Sequence, residues 1–324
     1  YLPTFLLLKC PPPLYTITFQ MPTCARYILF SSPRSGSTWT CQLLDMQRSV
    51  HCGLAAILDP ELKRADMSGE YAEPMERWAP RMMAHSQNRS TVSGATWQQE
   101  ADAAFEQLER QYCSGSSPQQ RAVGWKLMHL QFPPALHPSE RYSFLSEYLV
   151  SRNVSIVSLV REATVLRIAS GQQSFKFVKG KVVASAPFTT DASVADKAMH
   201  SAAPIQLGHA QALQIHTMER EDDEWDLQLR QANAVRFHRI TYEALTGPQR
   251  HDSLREAVRW LGIEDAAGSF AVNNNSLKLL HEPSCRERVA NWTMVRRSLE
   301  GTRCVKACDE LDARSMAPKG VMGL

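Results

Sequence analysis

In the stretch RYILFSSPRSGSTWTCQLLDM, residues 26–46, an apolar run is followed by Pro33-Arg34-Ser35-Gly36-Ser37-Thr38 and then by apolar residues at helical spacing. A run of strand formers, a glycine-centred turn and an amphipathic segment together predict a buried strand, a tight loop and a helix. The first amides of a helix have no intrahelical acceptor, and its positive dipole end faces the loop, so this arrangement receives an anion. Gly36 permits close backbone approach, Ser37 and Thr38 add hydroxyls, and the amides from Ser35 to Thr38 face the anion. A nucleoside triphosphatase loop carries a lysine after its last glycine. Ser37 stands there, and the nearby cation is Arg34, ahead of the glycine. Such a loop suits one phosphate with a neighbouring anion, without a metal-bridged triphosphate.

Downstream, RAVGWKLMHLQF (121–132) and NVSIVSLVRE (153–162) read as further strands, with a helix between them at SERYSFLSEYLVSR. A long polar helix is predicted over LGHAQALQIHTMEREDDEWDLQLRQAN, then a strand in AVRFHRITYEAL and a capped helix at DSLREAVRWLGI. Strands alternating with helices predict an α/β fold, a P-loop-like doubly wound sheet of central parallel strands with helices on both faces. At 324 residues the chain is long enough for one large domain. We assign residues 1–24 as a fragmentary or disordered leader, 25–303 as the domain and 304–324 as a C-terminal tail, with 60–120 a variable insertion over the site.

A net charge of +3 suits an anionic ligand but is far below that of a nucleic-acid binder. The leader's apolar run is shorter than the roughly 20 residues of a membrane span and is broken by Pro11, Pro12 and Pro13, so no membrane span is expected. The eight cysteines have no metal-site spacing. Cys304 and Cys308 read either as a small disulfide loop or as two surface thiols. Of four Asn-x-Ser/Thr triplets, at Asn88, Asn153, Asn274 and Asn291, Asn153 borders a buried strand and Asn291 falls in a helix. Neither is a free glycosylation loop.

SSPRSGSTW resembles the 5′-phosphosulfate loop of sulfotransferases that use 3′-phosphoadenosine 5′-phosphosulfate (PAPS). SLVREATVLRIAS resembles their second signature, a strand ending in Arg with Ser about two helical turns on; Arg161 and Ser170 fill those places. The Arg-to-Ser spacing is similar to that of the trehalose-sulfotransferase type. RFHRITYEALTG and the segment ending RRSLEGT resemble the strand and closing segment of the carbohydrate branch, so the likeness spans 25–303. The resemblance implies transfer of a sulfuryl group from PAPS to a hydroxyl or amine of a carbohydrate or small molecule, releasing adenosine 3′,5′-bisphosphate, with no metal. It implies that Arg34, Ser35, Gly36, Ser37, Thr38 and Trp39 hold the 5′ end, that Arg161 and Ser170 grip the 3′-phosphate, and that Lys278 approaches from the tail. Arg34 would also stabilise the leaving phosphate.

The family's glutamate base has no counterpart, since Ala56 stands in its place in CGLAAILDP. His129, His51, Asp59 and Glu61 are the remaining candidates. Lys126 and His129 mimic a lysine–histidine pair of the cytosolic enzymes, but strand alternation sends residues three apart to opposite faces. We expect the strand to open before His129, which makes it the preferred base. Lys176, Lys179 and Lys181 hint at an anionic acceptor. A non-catalytic nucleotide-binding homologue and an atypical P-loop kinase are the rival readings. Acceptor, compartment and oligomeric state are not legible.

Overall fold

Tyr27, Ile28, Leu29 and Phe30 are all fully buried, so the strand they form offers no face to water and must lie inside a covered sheet. That strand, β1 (Cys24–Ser31), is the middle of five in the computed structural model of the chain, which describes residues 24–33, 35–47, 49–53, 93–113, 121–129, 131–132, 136–178, 181–184, 204–232, 234–263 and 284–316. The others are β2 (Val50–Gly53), β3 (Arg121–Met128), β4 (Val154–Val160) and β7 (Phe237–Thr241), in the order β2-β3-β1-β4-β7. Every pairing is parallel. β5 (Phe175–Val178) and β6 (Lys181–Ala184) form a separate antiparallel pair, which the sequence reading did not anticipate.

The sheet is covered on both sides, as expected of a doubly wound α/β fold. On one face α2 (Gly94–Tyr112), α3 (Pro138–Ser151) and α5 (His209–Gln231) bury Trp97, Phe105, Leu145, Tyr148, Trp225 and Leu229 against Ile28, Phe30, Val123, Trp125 and Ile156. On the other, α1 (Ser37–Asp45), α6 (Tyr242–Thr246) and α7 (Arg250–Trp260) pack Trp39, Leu43, Leu44, Tyr242 and Leu254 on Tyr27, Leu29, Val157 and Leu159. Alternate residues of β1 and β4 thus feed opposite cores, the period-2 rule of a strand.

A third core joins α4 (Thr164–Ser174) to α8 (Cys285–Arg288), α9 (Trp292–Ser298) and α10 (Arg303–Met316) through Val165, Leu166, Cys285, Trp292, Cys304 and Cys308. Residues 304–316, set apart above as a tail, are therefore helical and contribute to this core. Both readings of Cys304 and Cys308 are overturned. Cys308 faces across the helix interface and is bonded to Cys285, while Cys304 faces the start of α4, buried, with its Sγ accepting from Val165 N at 3.3 Å. Burial pushes the Cys304 thiol up to about 12, which makes it inert as a nucleophile.

Two further disulfides, Cys24–Cys113 and Cys41–Cys52, tie β1 to the end of α2 and α1 to β2. The first closes a separation of 89 residues, a loop worth about 4–5 kcal/mol in the chain-entropy account. Asn291 stands at the N-cap position of α9, and its side chain clamps Leu207 instead of the helix, donating to the Leu207 carbonyl at 2.8 Å and accepting from its amide at 3.0 Å. Asn153 is exposed in the turn before β4, with φ 51°. Among the described residues, no helix is long and apolar enough to cross a membrane.

Candidate functional site

The chain reaches β2, returns to β3 beside β1, and then crosses to β4 on the other side, so the order reverses at β1. A reversal of this kind leaves a crevice at the carboxyl end of the strand. The predicted loop lies there, between β1 and α1. Gly36 adopts φ 81°, ψ 17°, the left-handed conformation that glycine enters without strain, and stands as the N-cap of α1. The first intrahelical bond is Thr40 N to Gly36 O at 2.9 Å, which leaves the amides of Ser37, Thr38 and Trp39 directed at the loop. Among the described residues no side chain caps them, and the first turn holds no acidic residue. Ser35 is fully buried, and among the described residues its Oγ has no hydrogen-bond partner.

Three side chains converge on this helix start from neighbouring elements. Lys126, from β3, donates from Nζ to Thr38 Oγ1 at 3.1 Å. Tyr242, the first residue of α6 directly after β7, lies against the loop so closely that a Cβ on Gly36 would sit 2.2 Å from its ring, and its ring meets Trp39 edge-on at 5.7 Å between centroids. Arg161, directly after β4, places its guanidinium carbon 4.9 Å from the centre of the Tyr242 ring. The two sequence signatures are therefore joined through one aromatic ring. Arg250, the buried first residue of α7, lies 5.6 Å from the ring of Trp39. Burial lowers its proton affinity, and its Nε and one terminal nitrogen have no partner among the described residues.

Ser170 lies on α4, less than two turns from its start. Glu243 holds the turn ahead of that helix, accepting from the amides of Glu162 at 3.1 Å and Ala163 at 2.9 Å. Arg288 of α8 is buried, and its guanidinium is lowered chiefly by burial and also by the charge of Arg161, against the pull of Glu287. A second arginine near Arg161 was not foreseen; nothing in CRER distinguishes it from the exposed Arg286 beside it until α8 is seen packing on α4.

His129 requires a correction. β3 runs unbroken to Met128, so alternation sends His129 away from Lys126, onto the face that holds Phe30 and Trp225. Its ring stacks on Phe30 at 4.4 Å, and its Nδ1 is 3.0 Å from Ser32 Oγ. Burial, then the charge of Arg167, lowers its pKa to about 3. An imidazole so weakly basic, turned from the lysine, is a poor general base. His51 is also committed, its Nδ1 in contact with the Asp45 carboxyl and its ring stacked on Tyr112 at 3.5 Å. Arg34, Lys278, Lys179, Ala56, Asp59, Glu61, Asn88 and Asn274 lie outside the described residues, and Lys176 and Lys181 fall on the β5–β6 pair.

Compared with known proteins, the chain matches no family model, and no curated protein is significantly similar to it.

Proposed function

We propose that this chain transfers a sulfuryl group from PAPS to an acceptor hydroxyl or amine. The observation that carries the reading is the convergence of Lys126, Arg161 and the uncapped start of α1 on one side of the sheet, at the carboxyl end of β1. These groups fit a nucleotide bearing two separate phosphates. The 5′-phosphate belongs at the amides of Ser37, Thr38 and Trp39, with Ser35 Oγ and Lys126 beside it; the 3′-phosphate belongs to Arg161, whose planar fork matches phosphate oxygens.

In the reaction, the acceptor oxygen or nitrogen bonds to sulfur as sulfur's bond to the bridging oxygen breaks, and the acceptor's proton passes to the departing 5′-phosphate or to water. Negative charge then gathers on the 5′-phosphate. The helix-start amides and Lys126 are already oriented there and need no rearrangement as the charge develops. Lys126 takes this role alongside the Arg34 expected from the sequence. His129 is given no part in proton transfer. The three disulfides among the described residues support maturation in an oxidising compartment, and hence an acceptor found there.

The test is transfer of labelled sulfate from PAPS to a panel of carbohydrate and phenolic acceptors, with Lys126→Met as the diagnostic variant. Loss of one preorganised charge-stabilising group is expected to lower turnover by roughly 100-fold or more, while affinity for PAPS itself, whose 5′-phosphate has not yet gained the charge, changes far less. Equal loss of turnover and affinity would make Lys126 a ground-state ligand only. No transfer to any acceptor by a protein that binds the bisphosphate would favour a non-catalytic nucleotide-binding role.

A further inference from the structure

On the face of the sheet opposite Lys126, one carboxylate touches both halves of the site from behind. Asp222 of α5 is 3% exposed. Its Oδ1 accepts from Ser32 Oγ at 2.5 Å, and Ser32 is the residue at which β1 gives way to the phosphate loop. Its Oδ2 accepts from Arg167 at 2.6 Å, and Arg167 is on α4 one turn before Ser170. Ser32 has one proton, and the carboxylate, which can only accept, takes it. His129 therefore donates from Nδ1 to Ser32, which fixes its tautomer and completes a chain from His129 through Ser32 and Asp222 to Arg167.

One turn further along α5, Asp226 repeats the device. It accepts from Ser158 of β4 at 2.8 Å and from Arg239 of β7 at 2.9 Å, and Arg239 also reaches Glu162, next to Arg161, at 3.4 Å. Two carboxylates four residues apart on one rigid helix thus hold the start of the 5′ loop and the end of the strand that carries Arg161. We propose that Asp222 is a positioning residue that sets the separation of the two phosphate grips, with α5 as the common frame. This inference rests on the nucleotide reading above. A ligand that spans two phosphates is sensitive to that separation, whereas one with a single phosphate is not.

The experiment measures affinity for adenosine 3′,5′-bisphosphate and for adenosine 5′-monophosphate by calorimetry in wild type, Ser32→Ala, Asp222→Asn, Arg161→Ala and the Ser32→Ala/Arg161→Ala double variant. Ser32→Ala leaves the Arg167–Asp222 pair intact, so it carries the test even where Asp222→Asn, which strips a buried arginine of its partner, does not fold. Ser32→Ala is expected to weaken bisphosphate binding roughly tenfold, and by much less once Arg161 is gone, because the coupling needs both ends held. The same fold-change in both backgrounds, or lowered thermal stability with unchanged affinity, would overturn the inference and leave Asp222 a structural ion pair. A wild-type protein that ignores the bisphosphate would instead sink the nucleotide reading itself, and the inference with it.

Discussion

Gly36→Ala is expected to cost both nucleotide binding and stability. A non-glycine residue at φ 81° is strained by about 1–2 kcal/mol, and the new Cβ would stand 2.2 and 2.4 Å from two carbons of the Tyr242 ring. No carbon pair tolerates that approach, so the ring must leave its place. Tyr242 is 8% exposed, held edge-on by Trp39 and lying beneath Arg161, and moving it disturbs all three. Overpacking of this kind adds about 1–3 kcal/mol. The expected result is bisphosphate affinity lowered by roughly 100-fold and a melting temperature lower by roughly 5 °C, read by calorimetry and thermal unfolding. Gly301→Ala is the matched control. Gly301 has φ 84° but open space within 4 Å of its would-be Cβ, so it carries the backbone strain without the collision and should leave affinity unchanged.

Arg161→Ala is expected to divide nucleotides by their 3′ substituent. Charge-assisted hydrogen bonds to phosphate contribute about 1.5–3 kcal/mol each, so the variant should bind adenosine 3′,5′-bisphosphate about 10- to 100-fold more weakly. Adenosine 5′-monophosphate should bind with nearly wild-type affinity, because the loop amides and Lys126 are unaltered. An equal loss for both nucleotides would show that Arg161 acts by pressing Tyr242 onto Gly36, a structural duty with no phosphate in it.

Much of this was legible in the chain because the chemistry is contiguous. SSPRSGSTW carries its turn, its hydroxyls and its helix start in nine letters, and β1 and β4 announce themselves as buried strands through unbroken apolar runs. Alternation in GWKLMHLQF already sent Lys126 and His129 to opposite faces; the expectation that the strand would open in time to rescue His129 failed because β3 continues through Met128. Asp222 was hidden among acidic neighbours in EREDDEWD. Its signal was present nonetheless, since the buried stripe of α5 passes through Ile215, Glu219, Asp222, Asp226 and Leu229 at helical spacing. A carboxylate in such a stripe must be paired inside the protein. The disulfides were not readable, because Cys24 and Cys113 are 89 residues apart and only the pairing of β1 with its neighbours and the packing of α2 bring them together.

The measurement that bears most directly on the whole account is calorimetric titration of adenosine 3′,5′-bisphosphate into the wild-type protein, first in EDTA and then with Mg²⁺, with ATP run in parallel. The account predicts one site that binds the bisphosphate equally well with and without the metal and binds ATP more weakly. Binding of ATP only in the presence of Mg²⁺, with no response to the bisphosphate, would contradict it and return the loop to the kinases.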